Sequence, residues 1–391
     1  MIRQLGAELG DDASVLGGKA YGLVRLLRLG LPVPRGVVIG TAAGRDYLAT
    51  GRLPRGLDAA ADRLGGAVSV RSGAAVSMPG MMSTLLDVRP PLGPAVAAVF
   101  DSWNTPRALT YRRLHGIADG LGTAVIIQSM VYGDRDERSG SGVAFSRNPN
   151  TGEPGPFGDY LRGRRGDAVV SGEERSEPVA VLRGGEVWPA LSQALAVVER
   201  HYRDLCQLEF TVESGRLWLL QVRPGGVAGH AAARVAVDLA DEGIITRGEA
   251  VARVDLERLP RVPLLPGDVP PLTRGLGASP GVATGRVATT ADAAVGMTEP
   301  AILVRPATSP LDLHGLAAAA GVVTFRGGPA SHAAVVARSM GKPAVVGAPI
   351  DALHDGLLVT IDGSTGVVAA GAHRPGRPAV SPAEARLRAW S

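Results

Sequence analysis

Hydrophobic and polar positions follow a helical period at the start of the chain and then a strand period. Residues 19–30, KAYGLVRLLRLG, place apolar side chains at 23, 26 and 27, and Gly30 ends the pattern. The next segment, LPVPRGVVIG, joins two prolines to a β-branched run, which predicts a turn into a strand. The chain therefore begins as an α/β structure.

Further patterns extend this picture through the first 225 residues. Residues 66–86 predict a strand that ends in a Gly-, Ser- and Met-rich loop, and two more strands are predicted on either side of a polar turn at 133–141. Residues 190–206 have a helical pattern. Alternating side chains on both sides of Ser214-Gly215 then predict a β-hairpin over 208–225.

The composition changes at 259–274, where repeated prolines disfavour both helix and sheet and predict an extended connector. Short β runs alternate with helical patterns after it. We therefore expect a first domain at 1–225, a helical connector at 226–258, the proline-rich linker, a compact α/β domain at 275–372 and a peripheral tail at 373–391.

His332 stands out in RGGPASHAAVVARSMG, where Ser331 is a good N-cap and the imidazole falls in the first helical turn. The helix dipole at this end disfavours imidazolium, which leaves a ring nitrogen free as a nucleophile, and unpaired N–H groups would stabilise an attached anion. A covalent phosphohistidine fits this placement. A purely capping or hydrogen-bonded structural histidine fits it as well.

A histidine nucleophile needs a phosphoryl donor, and the first domain offers candidate contacts. Lys19 follows paired glycines, and Arg71 ends a strand before a loop that could wrap phosphates with its backbone. Glu209 lies on the first strand of the predicted hairpin, and Gln221 and Arg223 lie on the second, which would set oxygen ligands for Mg²⁺ beside a guanidinium for phosphate. Solvated or structural roles for these residues are the alternative.

Length, charge and cysteine content argue against a single-domain, nucleic-acid-binding, membrane-spanning or secreted protein. A chain of 391 residues exceeds one ordinary hydrophobic core, and a formal net charge of +4 without basic runs argues against a nucleic-acid partner. No apolar stretch approaches the ~20 residues that span a bilayer. A single cysteine, Cys206, and an amino terminus without a signal-peptide pattern predict a cytoplasmic protein. Cys206 is expected to be a small buried residue in the helix before the hairpin.

An ordered set of segments between residues 15 and 372 resembles the pyruvate phosphate dikinase family. It comprises LGGKAYGL...LGLPVPRGVVI, SVRSGAAVSMPGMMSTLLD, SWNTPRALTYRRLHGI, GTAVIIQSMVYG, SGSGVAFSRNPNTGE, LEFTVESGRLWLLQVRPG, GLGASPGVATGRV and GGPASHAAVVARSMGKPAVVG. The resemblance implies an α/β (α+β) fold, with an ATP-grasp-type nucleotide-binding domain followed by a swivelling phosphohistidine domain.

The resemblance also implies roles for individual residues. His332 matches the histidine that attacks the β-phosphorus of ATP and releases AMP, and Lys19 and Arg71 match contacts to the nucleotide phosphates. Glu209 and Gln221 match the family's pair of residues beside the metal. Arg223 matches the arginine two residues after that pair. Asp159, in GPFGDYL, stands where the family usually has Glu and is a possible member of the site. ATP and Mg²⁺ are the substrate and cofactor implied.

The sequence departs from the family in three places. The family continues into a (β/α)₈ barrel for pyruvate or phosphoenolpyruvate, and we expect that acceptor half to be absent. The segment at 88–99 is shorter than in the family, which would alter water exclusion or nucleotide preference. Ala330 stands where some members have a regulatory threonine.

Three interpretations remain open at this point. The chain is a stand-alone phosphotransferase that charges His332 from ATP and delivers the phosphoryl group to a small molecule or to a separate phosphoenolpyruvate- or pyruvate-binding protein. Alternatively, it is a non-catalytic nucleotide-sensing or interaction module, or a phosphocarrier charged by another protein. The retained Lys19, Arg71, Glu209, Gln221 and Arg223 favour the first.

Overall fold

A computed structural model describes residues 2–10, 12–76, 78, 80–166, 176–227, 229–257, 259, 264–329, 331–376 and 380–391. Ala330 and residues 260–263 of the predicted linker lie outside the described residues. The chain divides into two compact units: unit 1 is Met1–Tyr132 with Thr211–Arg223, and unit 2 is Gly133–Phe210 with Pro224–Ser391. The domain boundaries proposed from composition group the chain differently and stay a prediction.

Unit 1 contains a five-stranded antiparallel sheet of order β1-β2-β5-β3-β4. Valine and isoleucine runs form its central strands, because β-branched side chains suit a buried pleated surface. Val70 and Ile127 of these strands share a core with Val96 and Phe100 of helix α5. The elements are β1 Ile2–Gln4, α1 Ala13–Leu16, α2 Gly18–Arg28, β2 Gly36–Ile39, α3 Thr41–Thr50, α4 Leu57–Asp62, β3 Val68–Ala74, β4 Thr84–Val88, α5 Gly93–Asp101, α6 Pro106–Leu114 and β5 Thr123–Ser129.

A second five-stranded sheet has the order β10-β9-β6-β7-β8. The hairpin predicted at 208–225 is confirmed, and its turn residues Ser214 and Gly215 have φ of 50° and 81°, as a tight two-residue hairpin turn requires. The strands predicted around 133–141 also form, but β5 and β6 belong to different sheets. The elements are β6 Gly140–Arg147, β7 Pro154–Arg162, β8 Glu177–Pro178, α7 Val187–Tyr202, β9 Cys206–Glu213 and β10 Arg216–Pro224.

The prediction that Cys206 lies in a helix is wrong. Helix α7 ends at Tyr202, where Arg203 turns into the left-handed region with φ of 58°, and Cys206 begins strand β9. The expectation of burial is confirmed, because the Cys206 side chain is fully buried, which raises the pKa of its thiol.

An eight-stranded mixed sheet follows in unit 2, with order β11-β18-β17-β13-β14-β15-β16-β12. Strands β13 to β16 run parallel to one another, which is why helices connect them. Two apolar clusters around Leu303 and Ile302 contain buried side chains of this sheet. The elements are β11 Thr273–Arg274, β12 Leu276–Ser279, β13 Val282–Ala288, α10 Ala291–Gly296, β14 Ala301–Arg305, α11 Leu313–Ala318, β15 Gly321–Thr324, α12 His332–Ser339, β16 Ala344–Val346, β17 Leu358–Asp362 and β18 Val367–Ala370.

The segment predicted as a peripheral tail differs from that expectation. It contains helix α13, Pro382–Trp390, which packs with the connector helices α8, Gly229–Asp241, and α9, Arg247–Arg253. Leu387 is completely buried in this cluster, and Arg386 forms an ion pair with Asp241. The mixed α/β class predicted from the sequence is confirmed. In the described part of the chain, no helix is both long and apolar enough to cross a membrane.

Candidate functional site

His332 is the first residue of helix α12, as predicted, and Ser331 is its N-cap residue. The helix forms here because Ala333, Ala334 and Ala337 place small apolar side chains on one face, which is buried against the eight-stranded sheet. Ser331 has the extended backbone of an N-cap, but its side chain makes no capping hydrogen bond. The backbone N–H groups of the first turn therefore have no side-chain acceptor from Ser331.

One ring nitrogen of His332 is fixed by a neighbour. Nδ1 lies 3.2 Å from Oγ1 of Thr308, whose side chain is 4% exposed. Among the described residues, no hydrogen bond is formed by Nε2. Burial lowers the pKa of His332, and the negative charge of Asp312 opposes that shift without reversing it. The imidazole is thus neutral near pH 7, with Nδ1 held and Nε2 available.

Asp312 also organises the segment that carries Thr308. Its carboxylate accepts a hydrogen bond from the Ser309 backbone N–H at 2.8 Å, closing a capping box at the short helix Pro310–Asp312. Arg305, at the end of β14, lies 3.3 Å from the same carboxylate. This pairing fixes the segment and partly neutralises the acid nearest the histidine.

Asp159, predicted as a possible member of the nucleotide site, lies on strand β7 of unit 2 next to the turn before His332. A Cβ added at Gly328 would lie 1.8 Å from Asp159 Oδ1, so the carboxylate fills the space where a side chain would go. Ser176 Oγ donates to the same oxygen at 3.0 Å. The structure thus brings Asp159 to the backbone of the histidine turn.

Unit 1 brings the predicted phosphate contacts together. Arg71 is 9% exposed on β3 and donates from Nη1 to the backbone oxygen of Leu220 at 2.9 Å, one residue before Gln221. Lys19 lies in the first turn of α2, where a Cβ added at Gly73 would lie 3.6 Å from Lys19 Cβ. Two basic side chains and the strand that carries Gln221 therefore meet around β3.

The paired glycines before Lys19 have a physical reason. A Cβ at Gly17 would lie 1.6 Å from the backbone oxygen of Gly73, and Gly17 has φ of 77°, so only glycine allows this approach. The N-terminus of α2 can therefore lie directly against the end of β3, which places Lys19 close to the strand of Arg71.

The hairpin residues occupy the two adjacent strands that the sequence predicted. Gln221 is 6% exposed on β10, and its amide oxygen, in the orientation that satisfies its neighbours, accepts from Arg223 Nη2 at 2.8 Å. Glu209 is half-buried on β9 and is assigned to unit 2, whereas Gln221 and Arg223 belong to unit 1. The pairing of Glu209 with Gln221 at a metal stays a prediction.

The donor chemistry of the hairpin fits Mg²⁺. No group of three His, Cys, Asp or Glu side chains with metal-binding spacing occurs within the described ranges. Mg²⁺ in nucleotide sites is commonly held by one or two protein oxygens together with substrate phosphates, so one carboxylate and one amide oxygen suffice.

Two contacts of the histidine segment were missed by the sequence reasoning. Thr308 lies 24 residues before His332 and carries no motif of its own; its only signal is the Ser309-to-Asp312 capping box that follows it. Arg338, on α12, donates to the backbone oxygens of Ala278 and Pro329 at 2.6 and 2.7 Å. Its position six residues after His332 gave no indication of these bonds.

Comparisons with known proteins match both parts of the chain. Residues 55–186 match the pyruvate phosphate dikinase AMP/ATP-binding domain, and residues 297–366 match the mobile domain of PEP-utilising enzymes. The first match confirms that the front part belongs to a nucleotide-binding class.

Curated relatives extend over most of the chain. A pyruvate, phosphate dikinase of Rhizobium meliloti is 34% identical over 97% of this chain and 58% of its own length. A second, from Clostridium symbiosum, is 40% identical over 76% of this chain and 37% of its own length. Among solved structures, D-alanyl-alanine synthetase A from Vibrio cholerae aligns at 15% identity and a TM-score of 0.32, over 54% of this chain and 55% of its own. The chain thus spans 58% and 37% of the length of these two dikinases. Over that span, it belongs to the pyruvate phosphate dikinase family.

Proposed function

We propose that this chain is a dikinase-type phosphotransferase in which His332 takes the β-phosphoryl group of ATP and AMP is released. The observation that carries the proposal is the state of His332: a half-buried, neutral imidazole at a helix N-terminus, with Nδ1 beside Thr308 and Nε2 unbonded among described residues. An uncharged ring nitrogen with an available lone pair is what nucleophilic attack on phosphorus requires.

The proposed step begins with Nδ1 protonated and donating to Thr308 Oγ1, so the lone pair is on Nε2. Nε2 forms a bond to the β-phosphorus, and the bond from that phosphorus to the oxygen shared with the α-phosphate breaks. AMP leaves with that oxygen. The γ-phosphoryl group passes to phosphate or water, and His332 keeps the β-phosphoryl group. The N–H groups of the first turn of α12 stabilise its negative charge.

Residues of unit 1 would contact the nucleotide phosphates: Lys19 and Arg71 would supply positive charge, and Arg223 would supply a guanidinium that can bond two phosphate oxygens. Glu209 and Gln221, on the two strands of the hairpin, would hold Mg²⁺. Bound Mg²⁺ would supply neutralisation of phosphate charge that otherwise repels a nucleophile. Asp159 is a further candidate on the side of the histidine.

Incubation with Mg²⁺ and ATP labelled at the β or γ position tests the proposal. We expect an acid-labile adduct on the protein from the β label, with an equivalent of AMP, and no adduct in His332→Asn. Failure to form AMP would favour the non-catalytic module. An adduct formed only from labelled phosphoenolpyruvate and a second protein would instead favour the phosphocarrier.

The acceptor in our proposal is a small molecule or a separate phosphoenolpyruvate- or pyruvate-binding protein. The labelled protein provides the assay for it, because a true acceptor discharges the adduct and becomes labelled. Small carboxylic acids, tested singly and together with co-purifying proteins, should show which of the two discharges His332. Loss of label to water alone in every trial would contradict both.

A further inference from the structure

The turn before His332, helix α12 and strand β12 each contact the segment at 140–162. Gly328 touches Asp159 of β7, and the guanidinium of Arg338 lies 5.8 Å from the ring centre of Phe145 on β6. Asn150, in the loop between these strands, donates to the backbone oxygen of Gly277 at 2.9 Å. We call these three contacts the docking seam.

Gly328 shows that the contact with Asp159 is tight. A Cβ at this position would lie 1.8 Å from Oδ1, 2.4 Å from Cγ and 2.6 Å from Oδ2 of Asp159. The backbone of Gly328 lies outside the left-handed region, in contrast to Gly327 with φ of 95°, so the conformation itself admits any residue. Glycine is required at 328 because the carboxylate occupies the space.

Asp159 has little freedom to move away. Its side chain is 4% exposed, and Ser176 Oγ donates to it at 3.0 Å. A buried carboxylate displaced by an added methyl group would lose this partner, and breaking such a contact is costly. The backbone of the turn, rather than Asp159, would therefore have to move to make room for a side chain at 328.

Arg338, whose charge is opposite to that of Asp159, donates a hydrogen bond to the next residue of the turn. Its Nη2 donates to Pro329, and its Nη1 donates to Ala278. Burial lowers the pKa of Arg338 to about 10, and the charge of Asp159 opposes that shift. An anion at Gly328 and a cation at Pro329 thus hold two consecutive backbone positions, three and four residues before His332.

We propose that Asp159 is a positioning residue that docks the histidine turn, residues 326–329 and 331, onto strands β6 and β7, with Arg338 as its cationic counterpart. Asp159 acts on the backbone of the turn, and through it on the placement of His332. The catalytic consequence rests on the phosphoryl transfer proposed above, whereas the docking contact does not depend on it.

Gly328→Ala and Asp159→Ala, alone and combined, test the contact. In Gly328→Ala the methyl group meets the carboxylate, so the turn should open, and trypsin should cleave after the exposed Arg326 about tenfold faster, within the range for coupled neighbours. In the double variant the space is free, so adding Gly328→Ala to Asp159→Ala should change cleavage by less than about twofold. Gly296→Ala is the matched control, because nothing lies within 4 Å of its added Cβ.

An equal effect of Gly328→Ala in both backgrounds, or an effect no larger than that of Gly296→Ala, would overturn the proposal. If Asp159→Ala does not fold, Asp159→Ser provides the same space with a shorter polar side chain. These cleavage rates need no nucleotide, so they remain decisive even if ATP yields no adduct.

The kinetics of labelling separate positioning from nucleotide binding. A positioning role predicts that Gly328→Ala slows labelling of His332 by about tenfold at saturating ATP while the KM for ATP is unchanged, and that Asp159→Ala partly restores the rate in the double variant. If Asp159→Ala raises the KM for ATP, and Gly328→Ala alone does not slow labelling, Asp159 is a nucleotide contact and the positioning role is wrong.

Discussion

Arg147 and His332 are both polar residues withdrawn from water in unit 2, but their surroundings differ. The Arg147 side chain is 1% exposed and bonds to Glu199 at 2.9 Å, Asp238 at 3.3 Å and Glu242 at 2.7 Å. Burial alone would lower the pKa of Arg147, but Glu199 and Glu242 outweigh it and raise the pKa. The guanidinium is therefore charged, and each of its three nitrogens donates to a carboxylate.

His332 is neutral and makes one side-chain hydrogen bond among the described residues, to Thr308 at 3.2 Å. A group whose bonds are all made contributes to the fold, because any new partner must displace an old one. A half-buried group whose second ring nitrogen has no partner among the described residues can accept a new bond. The difference in saturation, more than the difference in burial, separates a structural polar residue from a chemical one.

The largest expected effect comes from removing Arg147, whose guanidinium nitrogens all donate to carboxylates. Arg147→Ala leaves Glu199 buried without its cation, so the free energy of unfolding should fall by about 3–5 kcal/mol. Urea or guanidinium unfolding measures this. Arg386→Ala is the control, since its ion pair with Asp241 is exposed and its loss should change stability little. If the free energy of unfolding fell equally in the two variants, burial would not explain how much Arg147 contributes to stability.

The pH dependence of labelling tests whether the imidazole of His332 is neutral. Because burial lowers the pKa of His332, protonation competes with attack only below the ordinary value of about 6.5. The labelling rate should be constant from pH 8 to 6.5 and should fall at lower pH. Asp312→Asn removes the charge that opposes this shift, so the fall should move to still lower pH.

The same shift has a consequence for stability. The unfolded chain binds a proton at His332 more readily than the folded chain, so the free energy of unfolding should rise with pH below about 6.5, and His332→Asn should remove that part of the slope. Two results would contradict a lowered pKa: a labelling rate that already falls as the pH is lowered from 8 to 6.5, or a pH slope of the free energy of unfolding that is unchanged in His332→Asn.

Thr308→Val tests the side-chain hydrogen bond that His332 makes in the described part of the chain. The valine keeps the volume but cannot bond Nδ1, so the tautomer with a free Nε2 is no longer favoured. A neutral hydrogen bond contributes about 1 kcal/mol, which corresponds to roughly fivefold slower labelling. The rate at saturating ATP measures this, with Thr284→Val as a control at a threonine that bonds Thr360, away from the histidine. An unchanged rate in Thr308→Val would show that the ring is held by other means.

Local sequence signals predicted much of the fold and the position of His332. The Ser-Gly hairpin turn, the β-branched strands and the helix beginning at His332 depend on neighbours within a few residues. Errors arose where local signals were missing. Helix α7 stops at Arg203 in a left-handed conformation that usually calls for glycine, so the sequence carried no mark of its end and Cys206 was assigned to it.

The environment of the site could not be predicted in the same way. Thr308 contacts His332 and Asp159 contacts Gly328 from elements distant in the chain, whereas Arg338 reaches back to Pro329 from the helix that begins at His332. Nothing near these residues indicates which of many threonines or aspartates will arrive. The hidden packing of α13 has a similar cause, since the apolar Leu387 and Trp390 lie one turn apart within a segment rich in Pro, Arg and Ala.

The smallest expected effect concerns Ser331, the N-cap residue that makes no cap. Its Oγ is buried and has no hydrogen-bond partner among the described residues. Ser331→Ala should therefore leave the free energy of unfolding unchanged or slightly increased, because removing an unsatisfied buried hydroxyl costs nothing. Thr246→Ala is the matched control: Thr246 caps α9 in a complete capping box, and its loss should cost about 1 kcal/mol. If Ser331→Ala cost as much as Thr246→Ala, the hydroxyl would be bonded in solution, and the first turn beside His332 would already have its acceptor before any phosphoryl group arrives.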